Sequence, residues 1–228
     1  MFLKTFRLGA LVTVLGVSAV VHAAPDGGVD AAPGECLDHP CAAIGTLKGE
    51  IDPSSALSLA DFYNRAQKSK VDAAILVIDS PGGHFTSAGA MIRIIESAPF
   101  PTFCVVNGQA ASAAFWLLQA CKDRAATPSS LLMIHEAALY QEFGPCQKMT
   151  ARQLEKHASE LRAMDAVIAR YVAPRMGLKM DFYVSKTQDS DWDMDVTAGL
   201  KFHAIDREIL TVDAYLQYLA SLPFKKAK

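Results

Sequence analysis

Residues 73–83, AAILVIDSPGG, decide the fold class of this chain of 228 residues. The first six are all apolar, which is typical of a strand buried on both faces, as in a parallel sheet. The turn Ser80-Pro81-Gly82-Gly83 follows, and apolar residues then recur at helical spacing over Ser87–Ser97. The stretch therefore predicts a buried strand, a sharp turn and a helix.

The same order recurs downstream. We expect a buried strand at Thr102–Val106, a buried helix at Ser112–Cys121 and a short strand at Leu131–Ile134. This alternation predicts an α/β fold with a parallel sheet. The other expected elements are a strand at Ile44–Ile51, a helix at Ser58–Gln67, a long amphipathic helix at Ala151–Tyr171 ended by Pro174, a short helix at Met180–Ser185, an acidic loop at Asp189–Asp195, a strand at Ala204–Leu210 and a helix at Val212–Leu222.

Residues 1–23 have the plan of a secretory signal peptide. Lys4 and Arg7 precede the apolar run Leu8–Val21, and Val21-His22-Ala23 offers a cleavage site. An uncleaved membrane anchor is the alternative, although the run is short for one. We expect residues 24–43 to be a linker, residues 44–228 to form one catalytic domain, and the protein to be periplasmic or secreted.

The composition limits the partners. Hydrophobic residues make up 51% of the chain, enough for a sizeable core, and the formal charge is −2. This charge gives no electrostatic support for binding nucleic acid or an anionic membrane. We expect no cofactor, because no adenine-binding signature is apparent, and no zinc site, because no second Cys or His pair lies beside Cys36 and Cys41 at ligand spacing.

Five cysteines are compatible with disulfides in an exported protein. Cys36 and Cys41 are close enough in sequence to pair, and Cys121 could pair with Cys146. Cys104 lies within an apolar strand, where we expect a buried free thiol.

A candidate nucleophile lies in Gly108–Ala114, GQAASAA, and a histidine ends the next apolar run, Met133-Ile134-His135. A serine hydroxyl is a weak nucleophile unless a base lies beside it. The small neighbours of Ser112 leave room for a substrate carbonyl. Taken alone, Ser112 is more readily explained as a helix cap, and His135 could be a structural histidine.

Four segments resemble, in the same order, the Clp protease proteolytic subunit family of the ClpP/crotonase superfamily. They are ILVIDSPGG at 75–83, GQAAS at 108–112, LMIH at 132–135, and the acidic loop from Asp189 with the closing pattern through Asp206. The resemblance spans about residues 44–210. It implies a superhelix of repeated ββα units with a long handle-type helix.

The resemblance also implies a catalytic set. Ser112 corresponds to the nucleophile, His135 to the general base and Asp191 to the acid that orients the imidazole. The backbone N–H groups of Gly83 and Ala113 correspond to the oxyanion hole. We expect glycine at position 83 because a side chain there would hinder the substrate.

Some residues depart from the family pattern or compete for a role. Asp189, Asp193 and Asp195 lie near Asp191, which we favour because the closing pattern fixes the register. Ser190 stands where the family usually has arginine, which puts the family's two-ring assembly in doubt. The long helix still favours some homo-oligomer. Glu136-Ala137 follows His135 where the family tends to have Gln-Pro.

The sequence therefore predicts an exported, ATP-independent serine endopeptidase that cleaves peptides or unfolded segments. No ATPase partner is expected outside the cytosol. One alternative is a signal-peptide-peptidase-A-like enzyme with a Ser–Lys dyad, in which His135 would be dispensable. The other is a non-catalytic oligomeric envelope scaffold of the same fold.

Overall fold

A computed structural model of the chain describes residues 41–138 and 149–221, together with the backbone of 11–14 and 17–20. The strands are β1 (Leu11–Val14), β2 (Val17–Val20), β3 (Cys41–Ile51), β4 (Ala73–Gly83), β5 (Thr102–Ala111), β6 (Asp123–Ala126), β7 (Leu131–Ile134), β8 (Trp192–Met194) and β9 (Arg207–Glu208). The helices are α1 (Pro53–Lys68), α2 (Phe85–Ser97), α3 (Ala113–Leu118), α4 (Ala151–Arg175), α5 (Met180–Thr187), α6 (Val196–Lys201) and α7 (Val212–Ala220).

One sheet contains these strands in the order β1-β2-β3-β4-β5-β6-β9, with β7 branching from β5 and β8 paired with β7. Strands β3, β4, β5, β6 and β9 are parallel to their neighbours, whereas β8 is antiparallel to β7. The predicted α/β fold with a parallel sheet is therefore confirmed. Among the residues described, no helix combines the length and apolar character needed to cross a bilayer.

Strand β4 shows why its sequence is apolar throughout. Ala74, Leu76 and Ile78 pack in the core that includes α1, α2 and α3. Ala73 and Ile75 point to the opposite face, where they join a second core that includes Tyr215 of α7. Because successive side chains of a strand alternate between faces, a strand covered on both sides needs apolar residues at every position.

Strand β5 changes partners along its length, and this positions the functional site. Residues 103–106 pair with β6, whereas residues 109–111 pair with β7. Between these halves the register against β4 shifts, from Ile78 opposite Val106 to Ser80 opposite Ala110. The extra residues of β5 form a bulge, which bends the strand. The end of β5 is thereby directed to the edge where β7 lies.

Several boundaries differ from the sequence expectation. Strand β3 begins at Cys41 rather than Ile44, and α4 continues past Tyr171 with Pro174 inside its last turn. The sharp turn expected at Ser80–Gly83 is instead the end of β4, because the β3–β4 pairing continues through Gly82 and Gly83. Strand β6 was not expected, and β8 lies in the segment expected to be an acidic loop. Both strands are short, and pairing with a neighbouring strand defines them more than their own sequence does.

Candidate active site

Ser112 occupies the sharp turn between β5 and α3. Its backbone has φ 53° and ψ −120°, and its N–H donates to the carbonyl of Met133 at 2.8 Å. A positive φ is uncommon for a residue with a side chain, costs on the order of 1–3 kcal/mol and is concentrated at functional sites. Ser112 precedes α3, but its side chain makes no capping hydrogen bond. The hydroxyl is therefore not used as a helix cap.

His135 directly follows β7, the strand whose Met133 carbonyl accepts the Ser112 N–H. Ala111 is paired with Met133, so Ser112 and His135 lie at neighbouring ends of adjacent parallel strands. The imidazole Nδ1 is within hydrogen-bonding distance of the carbonyl oxygen of Glu136. A carbonyl can only accept, so this contact requires a proton on Nδ1, and in the neutral imidazole Nε2 then keeps the lone pair that a general base needs.

Asp191 lies one step beyond the last pair of the β7–β8 ladder, which joins Ile134 to Trp192. Continuing this register places Asp191 opposite His135. Ile134 and Trp192 are buried, so by alternation His135 and Asp191 belong to the other face. Asp191 is exposed, and among the described residues no hydrogen bond joins it to His135. The orienting contact expected from Asp191 is made by the Glu136 carbonyl in this structure.

The competing acids occupy other positions. Asp193 is paired with Met133, two residues from the position opposite His135. Asp195 is the N-cap of α6, where its side chain accepts the Ala198 N–H at 2.7 Å. Asp189 has a positive φ of 63° in the turn after α5. The β7–β8 register therefore favours Asp191 over its neighbours.

The two glycines at the end of β4, Gly82 and Gly83, have different contacts. A Cβ on Gly82 would lie 2.8 Å from both the Ser112 Cβ and the Ala113 nitrogen. A Cβ on Gly83 would lie 2.2 Å from the Ile51 carbonyl oxygen of β3. The requirement for glycine at 83 thus has a cause within the sheet, beyond the substrate access that we expected. Ala113 is the first residue of α3, where a backbone N–H has no partner within the helix.

Asp79 is a site residue that sequence reasoning missed. Its Oδ1 accepts the Gln109 N–H at 3.3 Å, and a Cβ on Gly108 would lie 2.3 Å from the same oxygen. Gly108 has φ 129°, which favours glycine. Asp79 therefore contacts the bulge that directs β5 towards Ser112. The available signal was an acid between the apolar run and the SPGG segment of β4.

A disulfide closes the loop that contains Ser112. Cys104 of β5 is bonded to Cys121, just after α3, with 5.8 Å between their Cα atoms. The expectations of a free Cys104 thiol and of a Cys121–Cys146 bond are therefore wrong. After the turn at Ser112, α3 returns alongside β5, and this brings the sulfurs of Cys104 and Cys121 together. Cys41 is also disulfide-bonded, whereas Cys36 and Cys146 lie outside the described residues.

Charged groups hold the far end of α3. Buried Arg124 pairs with Asp206 at 2.7 Å and also donates to the Gln119 side chain. Arg175 of α4 donates to the Gln119 carbonyl at 2.8 Å. Burial alone would raise the pKa of Asp206, but the hydrogen bonds and charge of Arg124 outweigh it and lower that pKa below its ordinary value. The helix that follows Ser112 is therefore anchored at its other end.

Comparisons with known proteins agree with this fold. The Clp protease family model matches residues 44–211. The chain is 29% identical over 136 residues to the ATP-dependent Clp protease proteolytic subunit 3 of Parasynechococcus marenigrum, and likewise to that of Synechococcus sp. strain CC9605. These matches cover 59% of this chain and 65% of each relative, slightly less than two thirds of the relative's length. A solved structure of a ClpP1 mutant from Listeria monocytogenes is similar with a TM-score of 0.66 at 21% identity, covering 75% of this chain and 93% of that one.

Proposed function

The chain belongs to the Clp protease family, and we propose that it is a serine peptidase in which Ser112, His135 and Asp191 cleave peptide bonds. The observation that carries the proposal is the strained turn at Ser112, whose N–H is bonded to the carbonyl of Met133 on the strand that ends at His135. This pairing puts a nucleophile and a base at adjacent strand ends.

The chemistry follows from the tautomer. The Ser112 hydroxyl gives its proton to Nε2 of His135 as the oxygen attacks the substrate carbonyl. The N–H groups of Gly83 and Ala113 donate to the oxyanion. The imidazolium then gives the proton to the leaving amine. A water molecule, deprotonated by the same imidazole, then hydrolyses the acyl-enzyme and releases Ser112. In this scheme the Glu136 carbonyl holds the Nδ1–H tautomer, and the negative charge of Asp191 stabilises the imidazolium.

A fluorophosphonate probe tests the nucleophile. We expect the purified protein to be labelled on one serine and the Ser112→Ala variant to remain unlabelled. His135→Ala is expected to lose labelling and turnover of unstructured peptides. Retained activity in His135→Ala would favour the Ser–Lys alternative. A folded protein without labelling, and without turnover across a peptide library, would favour the scaffold.

We further propose that the peptidase is exported, acts without ATP and forms a homo-oligomer. Support for export comes from the basic and apolar leader in residues 1–23 and from the Cys104–Cys121 disulfide. Cleavage after this leader would remove β1 and β2, which lie at the edge of the sheet beyond β3. Expression in a Gram-negative host, followed by fractionation and N-terminal sequencing, is expected to give a periplasmic protein starting at Ala24. Peptide turnover is expected to be the same with and without ATP, and sedimentation is expected to give a mass above that of a monomer.

A further inference from the structure

One peptide unit next to the candidate base is held at both ends. Its carbonyl oxygen belongs to Glu136 and is bonded to His135 Nδ1. Its N–H belongs to Ala137 and donates to Oδ1 of Asp165 at 2.6 Å. The carbonyl and N–H of a planar trans peptide point in opposite directions. Fixing the N–H on Asp165 therefore directs the carbonyl away from α4, and this carbonyl is the group that holds the imidazole.

Asp165 lies on α4, far from His135 in sequence. Its side chain and Ala137 are both half-buried, so the hydrogen bond between them is partly protected from water. A carboxylate that accepts an amide N–H forms a charge-assisted hydrogen bond, which is stronger than a neutral one. Such a bond also polarises the amide, so that its carbonyl becomes a better acceptor for Nδ1–H.

The surroundings of Asp165 also connect to β8. Tyr183 of α5 is buried, and its hydroxyl has no hydrogen-bond partner among the described residues. Burial raises the pKa of Tyr183, and the negative charge of Asp165 raises it further, so the phenol stays protonated. The Tyr183 ring packs edge-on against Trp192, the partner of Ile134 in the β7–β8 ladder. Asp165 is thus close to the packing that supports the strand end carrying His135.

We propose that Asp165 is a positioning residue that acts through the Glu136–Ala137 peptide to set the orientation and tautomer of His135. The inference rests on the proposed peptidase function only for its effect on catalysis. The geometric part, that Asp165 fixes this peptide and through it the imidazole, is separate and can be measured without any substrate.

The first test uses no activity. In protein with 15N-labelled histidine, the imidazole shifts of His135 are expected to show the Nδ1–H tautomer. Asp165→Ala removes the acceptor and is expected to shift the tautomer equilibrium towards Nε2–H. It is also expected to speed hydrogen exchange of the Ala137 amide by about tenfold or more. Asp165→Asn keeps an oxygen acceptor and is expected to preserve most of both signals.

The second test uses the labelling rate and peptide turnover. Asp165→Ala is expected to lower kcat by about tenfold to a hundredfold with little change in KM. Asp165→Asn is expected to recover most of this loss. Ala137→Pro removes the N–H donor and is expected to match Asp165→Ala, and the double variant is expected to be no worse than either single variant. Glu155→Ala, which removes an exposed acid from the same helix, is the control and is expected to behave as wild type.

The outcomes separate the two proposals. An unchanged His135 tautomer and Ala137 exchange rate in folded Asp165→Ala would overturn the positioning role, as would additive losses in the double variant. If the nuclear magnetic resonance signals change but the wild-type protein neither reacts with the probe nor cleaves peptides, the positioning role stands and the peptidase function fails. If Asp165→Ala does not fold, the comparison of Asp165→Asn with Ala137→Pro decides in the same way.

Discussion

Gly82 lies against Ser112 so closely that a Cβ on the glycine would be 2.8 Å from the Ser112 Cβ. The same added atom would be 2.6 Å from the Ala111 carbonyl oxygen. Both distances are shorter than Cβ atoms tolerate, and Gly82 also has a φ of 96° that favours glycine. The SPGG end of β4 is therefore a packing surface for the turn that carries the candidate nucleophile.

From this contact we predict that Gly82→Ala lowers kcat on the order of 100-fold, because a displacement of Ser112 by about 1 Å is enough for such a loss. Peptide turnover and the rate of fluorophosphonate labelling measure it. Gly177→Ala is the matched control, since Gly177 also has a positive φ of 66° but no atom within 4 Å of an added Cβ. It is expected to cost about 1 kcal/mol of stability and to leave kcat unchanged. Equal kcat in Gly82→Ala and wild type would contradict the prediction.

The acid opposite His135 gives the second prediction. Because the Glu136 carbonyl holds the Nδ1–H tautomer, Asp191→Asn removes charge stabilisation without removing the tautomer's hydrogen bond. We expect kcat to fall on the order of 100-fold, less than the roughly 10⁴-fold loss of a triad whose acid also fixes the tautomer. Asp193→Asn, two positions along β8, is expected to change kcat little. A larger loss in Asp193→Asn than in Asp191→Asn would show that the register had been assigned to the wrong acid.

The sequence could predict what depends on local pattern. The apolar run of β4 and the small residues around Ser112 are short-range signals, and the strand and the helix that they predict are present. The sharp turn predicted at Ser80–Gly83 is wrong, because β4 continues through Gly83 and pairs with β3 there. The resemblance to the family added the order of the motifs, which is why Ser112 and His135 could be paired before their strands were known to be neighbours.

The rest depends on contacts between distant segments. The contact of Asp79 with Gly108 exists only because β5 carries a bulge against β4. The Cys104–Cys121 bond requires β5 and the residue after α3 to lie close together in the fold. Sequence spacing alone favoured a Cys121–Cys146 pair. The bond from Ala137 to Asp165 joins a loop to a helix that sequence pattern treats as an independent amphipathic element. No local propensity encodes these contacts.

The disulfide gives the third prediction. Replacing both Cys104 and Cys121 by alanine removes a covalent loop that contains Ser112, with a sequence separation of 17 residues. A loop of this size is expected to stabilise the fold by about 3 kcal/mol. Urea unfolding of the double variant is expected to show this loss, with peptide turnover at low temperature largely retained. Quantitative alkylation of both thiols in unreduced, unfolded wild-type protein would contradict the bond.

The ion pair between buried Arg124 and partly exposed Asp206 gives a prediction about acid stability. Although burial alone would raise it, the pKa of Asp206 in the folded protein is lowered by the hydrogen bonds and charge of Arg124. A folded pKa below the unfolded value of about 3.9 means that the carboxylate contributes stability above that pH and loses it as the pH falls through the folded pKa. We expect the free energy of unfolding of wild type to decrease below about pH 4 in part for this reason.

Asp206→Asn tests this contribution. At pH 7 it is expected to lower the free energy of unfolding by about 2 kcal/mol, since Arg124 is buried and loses a charged acceptor. Below pH 4 the difference from wild type is expected to shrink, because protonated Asp206 is then also uncharged. Asp213→Asn, at an exposed acid of α7, is the control and is expected to keep the wild-type pH dependence. Urea unfolding curves at pH 7, 5, 4 and 3 give the free energy of unfolding of wild type, Asp206→Asn and Asp213→Asn. A constant difference in this free energy between Asp206→Asn and wild type over this range would show that the Asp206 carboxylate is not responsible for the acid sensitivity.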